Sequence, residues 1–186
     1  QWTDAAKLRY QPEPCVLEPW TVESWNATLK ATRTGTMNGT DGYTRTELLQ
    51  MPTPLKQQLV QVFNQVEHGE PWPLELLHGL ILSAAKSPQA ATALDTRPLM
   101  VLSRLYRVWA IGRARTLLRW LRSWLPPSIL GFLAGTCTQD LWTQVLAEIE
   151  LAILEDRPVS GGVLDIIKAF DYLPRLPIFL ACVAFG

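Results

Sequence analysis

The sequence predicts an α+β fold, and three observations predict it. Apolar residues recur at helical spacing after Thr53 and again after Ser103. Two short apolar runs, Leu80–Ala85 and Leu99–Leu102, are split by a polar connector in the manner of a strand pair. A β-branched run, Val163–Ile167, follows the turn Ser160-Gly161-Gly162 and reads as a further short strand. The 186 residues are 48% hydrophobic and 18% charged, with a mean hydropathy of +0.07, which excludes an extended disordered chain. The longest apolar-rich stretch, Leu77–Ala85, is interrupted by His78, Gly79 and Ser83. It falls far short of the ~20 residues of a bilayer helix, so no membrane partner is expected.

Residues 1–53 are polar and rich in Thr and Gly, with turn signals at Asn38-Gly39 and Asp41-Gly42. A short helix is expected over Val22–Ala31. Thr44 is placed to cap a turn running through Leu49, with Glu47 completing a capping box. Pro54 then opens a helix whose stripe is Leu55, Leu59, Val62, Phe63 and Val66 and which stops near Gly69. The strand pair follows, joined by Lys86–Pro98. Ser103 caps the next helix, which runs to Leu125 before Pro126-Pro127 ends it. A second helix is expected from Thr138 to about Glu155, and a last one begins over Leu176–Phe185.

Net charge is zero, with 17 basic and 17 acidic residues, which lacks the cationic surplus usual in a nucleic-acid binder. Cys15, Cys137 and Cys182 form no CxxC and suit a reducing, intracellular setting better than a disulfide framework or zinc site. The chain opens on Gln1 with no basic-then-apolar leader, so the sequons Asn26-Ala27-Thr28 and Asn38-Gly39-Thr40 read as chance matches. It closes on Phe185-Gly186 within an apolar segment, as a truncated chain would.

Charge segregates in the second half. Six arginines and no acid lie between Arg104 and Arg122. On a helical wheel Arg104, Arg107, Arg115, Arg119 and Arg122 fall within about 120°, with Arg113 opposite. Such a stripe suits phosphate contact, because guanidinium binds phosphate oxygens bidentately. It equally suits a solvated face paired to Glu148, Glu150 and Glu155, and the sequence leaves both open.

The segment with most chemical content is Leu164-Asp165-Ile166-Ile167-Lys168-Ala169-Phe170-Asp171. A carboxylate in a strand that should be buried is costly unless a cation or hydrogen-bond donor meets it. Asp165 is therefore a candidate metal ligand at a sheet edge, and the bland alternative is a surface ion pair with Lys168. The segment resembles motif A of reverse transcriptases of the non-LTR retrotransposon and group II intron type, Asp-x-x-Lys-Ala-Phe-Asp. Upstream, in the family's order, Arg97-Pro98-Leu99 with Leu102-Ser103 and Leu105-Tyr106-Arg107 resembles the fingers motif. Gly131-Phe132, Gly135, Thr138 and Asp140 resemble the segment Gly-Phe-x-x-Gly-Arg-Ser-Thr-x-Asp. The resemblance covers residues 77–186, with departures at Thr136, Cys137 and Ile167, and the family's x-Asp-Asp motif is absent.

The resemblance implies a right-hand polymerase: residues 1–76 an upstream extension, 77–160 fingers-like, 161–186 the start of the palm, stopping before x-Asp-Asp. It implies an RNA-directed DNA polymerase working on an RNA template, a DNA primer and dNTP with Mg²⁺. Asp165 would be the catalytic metal ligand, aided by the Ile166 carbonyl. Lys86 and Arg97 would clamp the triphosphate, with Lys168 and Ala169 adding backbone donors and Phe170 excluding a 2′-hydroxyl. The arginine stripe would contact nucleic acid. One carboxylate cannot hold two Mg²⁺ ions, so the 186 residues alone are expected to be inactive. The alternative is a non-catalytic, maturase-like RNA binder or a degenerate retroelement remnant. Taken singly, Arg97 is also an ordinary loop arginine and Phe170 a core residue. His78 reads as a core histidine, and Trp109, Trp120, Trp124 and Trp142 as packing residues.

Overall fold

A computed structural model describes residues 13–89, 92, 95–165 and 174–185. The chain divides into two compact units, one of residues 17–116 and one combining residues 1–16 with 117–186.

In the unit 17–116, α1 (Val22–Lys30) begins with a reciprocal cap. Thr21 Oγ1 accepts the Ser24 N–H at 3.2 Å, and Ser24 Oγ accepts the Thr21 N–H at 2.9 Å. The capping box expected at Thr44 opens α2 (Arg45–Gln50): the Glu47 carboxylate accepts the Thr44 N–H at 2.8 Å, and Thr44 Oγ1 accepts the Glu47 N–H at 3.2 Å. The long helix α3 spans Thr53–Glu67, but its buried stripe is Lys56, Val60 and Phe63. The apolar residues alone give a stripe rotated from this one, and Leu55 is left exposed. Lys56 takes the inward place because its stem covers apolar surface while its ammonium donates to the Leu49 carbonyl at 2.7 Å.

One helical turn, α4 (Leu74–Leu77), leads into the antiparallel hairpin of β1 (Gly79–Ala85) and β2 (Thr96–Leu102). Strand β2 starts three residues earlier than its apolar run, so Arg97 and Pro98 belong to the ladder and not to the connector. Leu80 and Ile81 stay exposed, since no other strand among the described residues joins this sheet. His78 is likewise exposed and not a core histidine. Its carbonyl accepts from Thr40 Oγ1 at 3.0 Å.

Helix α5 (Arg104–Trp124) starts where expected, with the buried Ser103 Oγ accepting the Tyr106 N–H at 3.1 Å. Its first three turns close the core of this unit. Leu105 and Val108 meet Trp20, Trp25, Leu29, Leu48, Val60 and Phe63. A run of ring contacts continues through Trp72, which lies 4.9 Å from Trp109 and 5.0 Å from Tyr106. Gly112 is required here, because a Cβ would stand 2.2 Å from the Trp20 ring.

The other unit contains the end of α5, then α6 (Thr138–Leu154) and α7 (Arg175–Phe185). The Asp140 carboxylate accepts the Cys137 N–H at 2.6 Å, and this fixes the start of α6. Ala152 is buried, whereas Leu141, Trp142, Leu146 and Ile153 are exposed. Trp142 thus does not pack as expected, while Trp120 and Trp124 meet edge-on at 5.2 Å. The strand expected over Val163–Ile167 is not formed by its described part. Val163, Leu164 and Asp165 lie outside any strand and are exposed. A strand needs a paired neighbour, and β1–β2 is the one ladder among the described residues.

Candidate functional site

The hairpin brings together two of the residues singled out from sequence. Ala84 pairs with Arg97 and Ala85 with Thr96, and the ladder continues one rung further through Lys86 N–H to the Asp95 carbonyl at 2.8 Å. Lys86 therefore stands opposite Asp95. Since side chains alternate along a strand, Lys86 and Arg97 occupy one face of the hairpin as diagonal neighbours, ~7–8 Å apart at the backbone. Both are exposed. The same register explains why Pro98 is tolerated. The bonded Lys86–Asp95 rung makes Ser83–Pro98 a non-hydrogen-bonded pair, where the missing N–H would point away from the partner strand.

Asp165 belongs to the other unit and is exposed. Ile166, Lys168, Ala169 and Phe170 lie outside the described residues. Among the described residues no group of three or more His, Cys, Asp or Glu side chains converges. The loop before α6 closes on itself. The Thr136 hydroxyl is shared between the carbonyls of Leu130, at 2.6 Å, and Leu133, at 2.8 Å. Arg122 donates to the Ala134 carbonyl at 2.7 Å.

The arginine stripe is not one uniformly presented face. Arg104 is only 5% exposed, and its guanidinium donates to Thr36 Oγ1 at 2.8 Å and to the Thr36 carbonyl at 3.1 Å. Arg107 is half-buried and donates to the Met37 carbonyl at 2.8 Å, while Arg115 reaches the Ala31 carbonyl at 3.2 Å. Arg119 is exposed. The solvated-face alternative does not describe Arg104, whose buried guanidinium serves loop carbonyls. Glu148 and Glu155 bind Arg157 instead, at 2.6 and 2.7 Å. Arg113, on the opposite side of α5, forms a bidentate pair with Glu67.

Sequence reasoning missed a pocket of about 310 Å³, in which Arg33, Arg104, Arg107 and Arg115 line the walls with Thr32 and Thr36. Burial, and then the charge of Arg104, press the Arg107 pKa below its ordinary value, against a smaller opposing pull from Asp41. Three of its arginines, Arg104, Arg107 and Arg115, belong to the stripe read from the sequence; what the stripe does not show is the loop that faces them, Thr32-Arg33-Thr34-Gly35-Thr36, about 70 residues away. No helix among the described residues is long and apolar enough to cross a membrane. No protein-family model matches the chain, and no curated protein matches its sequence.

Proposed function

We propose that this chain is the fingers and opening palm of an RNA-directed DNA polymerase of retroelement type. The observation that carries the reading is the hairpin register. It sets Lys86 and Arg97, which the motif order nominates as triphosphate ligands, on one exposed face. Two cations at that spacing suit adjacent phosphates of a nucleotide, with Arg97 able to bind bidentately and Lys86 as a point charge. The order of three motif-like segments over residues 86–171 supports the same reading. Asp165 is exposed and supplies one carboxylate, and the sequence holds no Asp-Asp pair to supply others. The reading therefore rests on the hairpin and motif order and expects no nucleotide incorporation by these 186 residues alone.

The test is binding of a fluorescent dNTP, followed by anisotropy, in chloride-matched buffer. R97A should weaken binding about tenfold or more, as expected for loss of a charge-assisted contact, and K86A should weaken it less. Wild-type affinity retained in both R97A and K86A would refute the reading. The RNA-binding alternative gains support from the arginines on α5. It is favoured if a structured RNA binds wild type and R97A alike while dNTP binds neither.

A further inference from the structure

We propose that the pocket between the loop 31–36 and the first half of α5 is a binding site for a phosphate group. It needs neither the polymerase reading nor Asp165. Four arginines line it, and no acidic side chain is among its lining residues. Arginines that merely filled space would be expected to direct every N–H to a carbonyl or carboxylate. Here part of each fork is so used. Arg104 and Arg107 hold the Thr36 and Met37 carbonyls, and those bonds fix both guanidinium planes against the loop. The Nε–H groups of both residues are buried and have no acceptor. Arg104 is itself 5% exposed, so water is largely kept from it. Two preoriented, unmatched donors beside four cationic groups call for an oxygen-rich anion.

Asp41 draws on Arg107 electrostatically but does not line the pocket; one of its oxygens accepts the Leu105 N–H at 3.0 Å and the other is buried without a donor. One carboxylate offsets one of the four positive charges around the pocket. A phosphate fits better than a carboxylate ligand, because it carries more charge and more acceptor oxygens for donors arriving from several directions. Val108 and Ile111 on α5 give the pocket an apolar floor, which accommodates the sugar or base attached to such a phosphate.

Inorganic phosphate is the first probe, titrated into the intact chain by calorimetry against chloride of matched ionic strength. A uridine pentanucleotide without a terminal phosphate is the second. Wild type should bind at least one of them saturably. R107Q, and separately R33A at an exposed position, should weaken that binding about tenfold or more, with unchanged far-UV dichroism. Tighter binding of the pentanucleotide assigns the site to strand phosphodiesters, and preference for inorganic phosphate assigns it to a small phosphorylated ligand. Absence of saturable binding to both probes overturns the proposal, as does binding that survives in both R107Q and R33A. R97A leaves this site untouched, so its retention of phosphate binding separates this result from the fate of the polymerase reading.

Discussion

Glu67 is the residue whose loss should unsettle the unit 17–116 most for its size. Its carboxylate accepts from Arg113 through two guanidinium nitrogens, from Trp109 Nε1 at 2.7 Å and from Trp20 Nε1 at 3.0 Å. The paired side chains are 15% and 14% exposed, and Arg113 also lies 5.0 Å from the Trp20 ring centre. E67Q removes the charge and places an amide that can accept only through its oxygen against four donors. Removing one partner of a buried ion pair costs about 3–5 kcal/mol, and residual water access puts this pair near the lower end, about 3 kcal/mol. In a unit of this length that is a fall of roughly 12–24 °C in melting temperature. Urea melts followed by tryptophan fluorescence give the loss, and the R113M and E67Q/R113M variants complete a double-mutant cycle. A loss under about 1 kcal/mol, or additivity within about 0.5 kcal/mol, would refute the view of Glu67 as the knot of this core. Burial alone would raise the Glu67 pKa, but hydrogen bonds from Arg113, Trp109 and Trp20, with the Arg113 charge, bring it below the ordinary glutamate value. The folded pKa is the lower one. Its contribution is therefore present above the unfolded pKa of about 4.3 and lost as pH falls through the folded pKa, an acid limb that E67Q should flatten.

Gly112→Ala should destabilise despite the better helix propensity of alanine, because the new Cβ meets Trp20 at 2.2 Å. A cost of about 1–3 kcal/mol is expected in the same urea assay. Thr44→Ala removes the hydroxyl that caps α2 and should cost ~1 kcal/mol, read as an earlier thermal transition. Phe63→Ala empties a fully buried site between Trp20, Trp25 and Trp72, and should cost about 3–5 kcal/mol, with increased acrylamide quenching of tryptophan emission.

Local rules carried much of the fold. Thr44 and Glu47, Ser103, and Pro126-Pro127 act within four residues of the element they start or stop, so their chemistry is visible in the sequence. The buried face of α3 was not visible in this way. Apolar spacing points to Leu55, Leu59 and Val62, and what turns the helix is a carbonyl at Leu49 that a lysine can satisfy and a leucine cannot. Pro98 falls in the connector on the sequence pattern because the apolar run begins only at Leu99, and proline lacks a ladder donor. Only the register, set by residues on the other strand, shows that no donor was needed there.

The arginines show why a site is harder to read than a helix. A wheel diagram fixes the angle at which each side chain leaves α5, and in that sense Arg104, Arg107 and Arg115 do emerge together, with Arg113 opposite. Their fates are decided by what the chain folds against each angle: carbonyls of the loop 31–37 for the three, the Glu67 carboxylate for the fourth. A carbonyl carries only a partial charge and a carboxylate a whole one. Arg113 is therefore neutralised where it is buried, and Arg104 is not. Periodicity gathers the two kinds of arginine into one helix, but only tertiary contact tells which charge is left seeking an anion. Among these arginines, a loss of phosphate affinity belongs to R107Q, and a loss of stability to changes at the Arg113 pair.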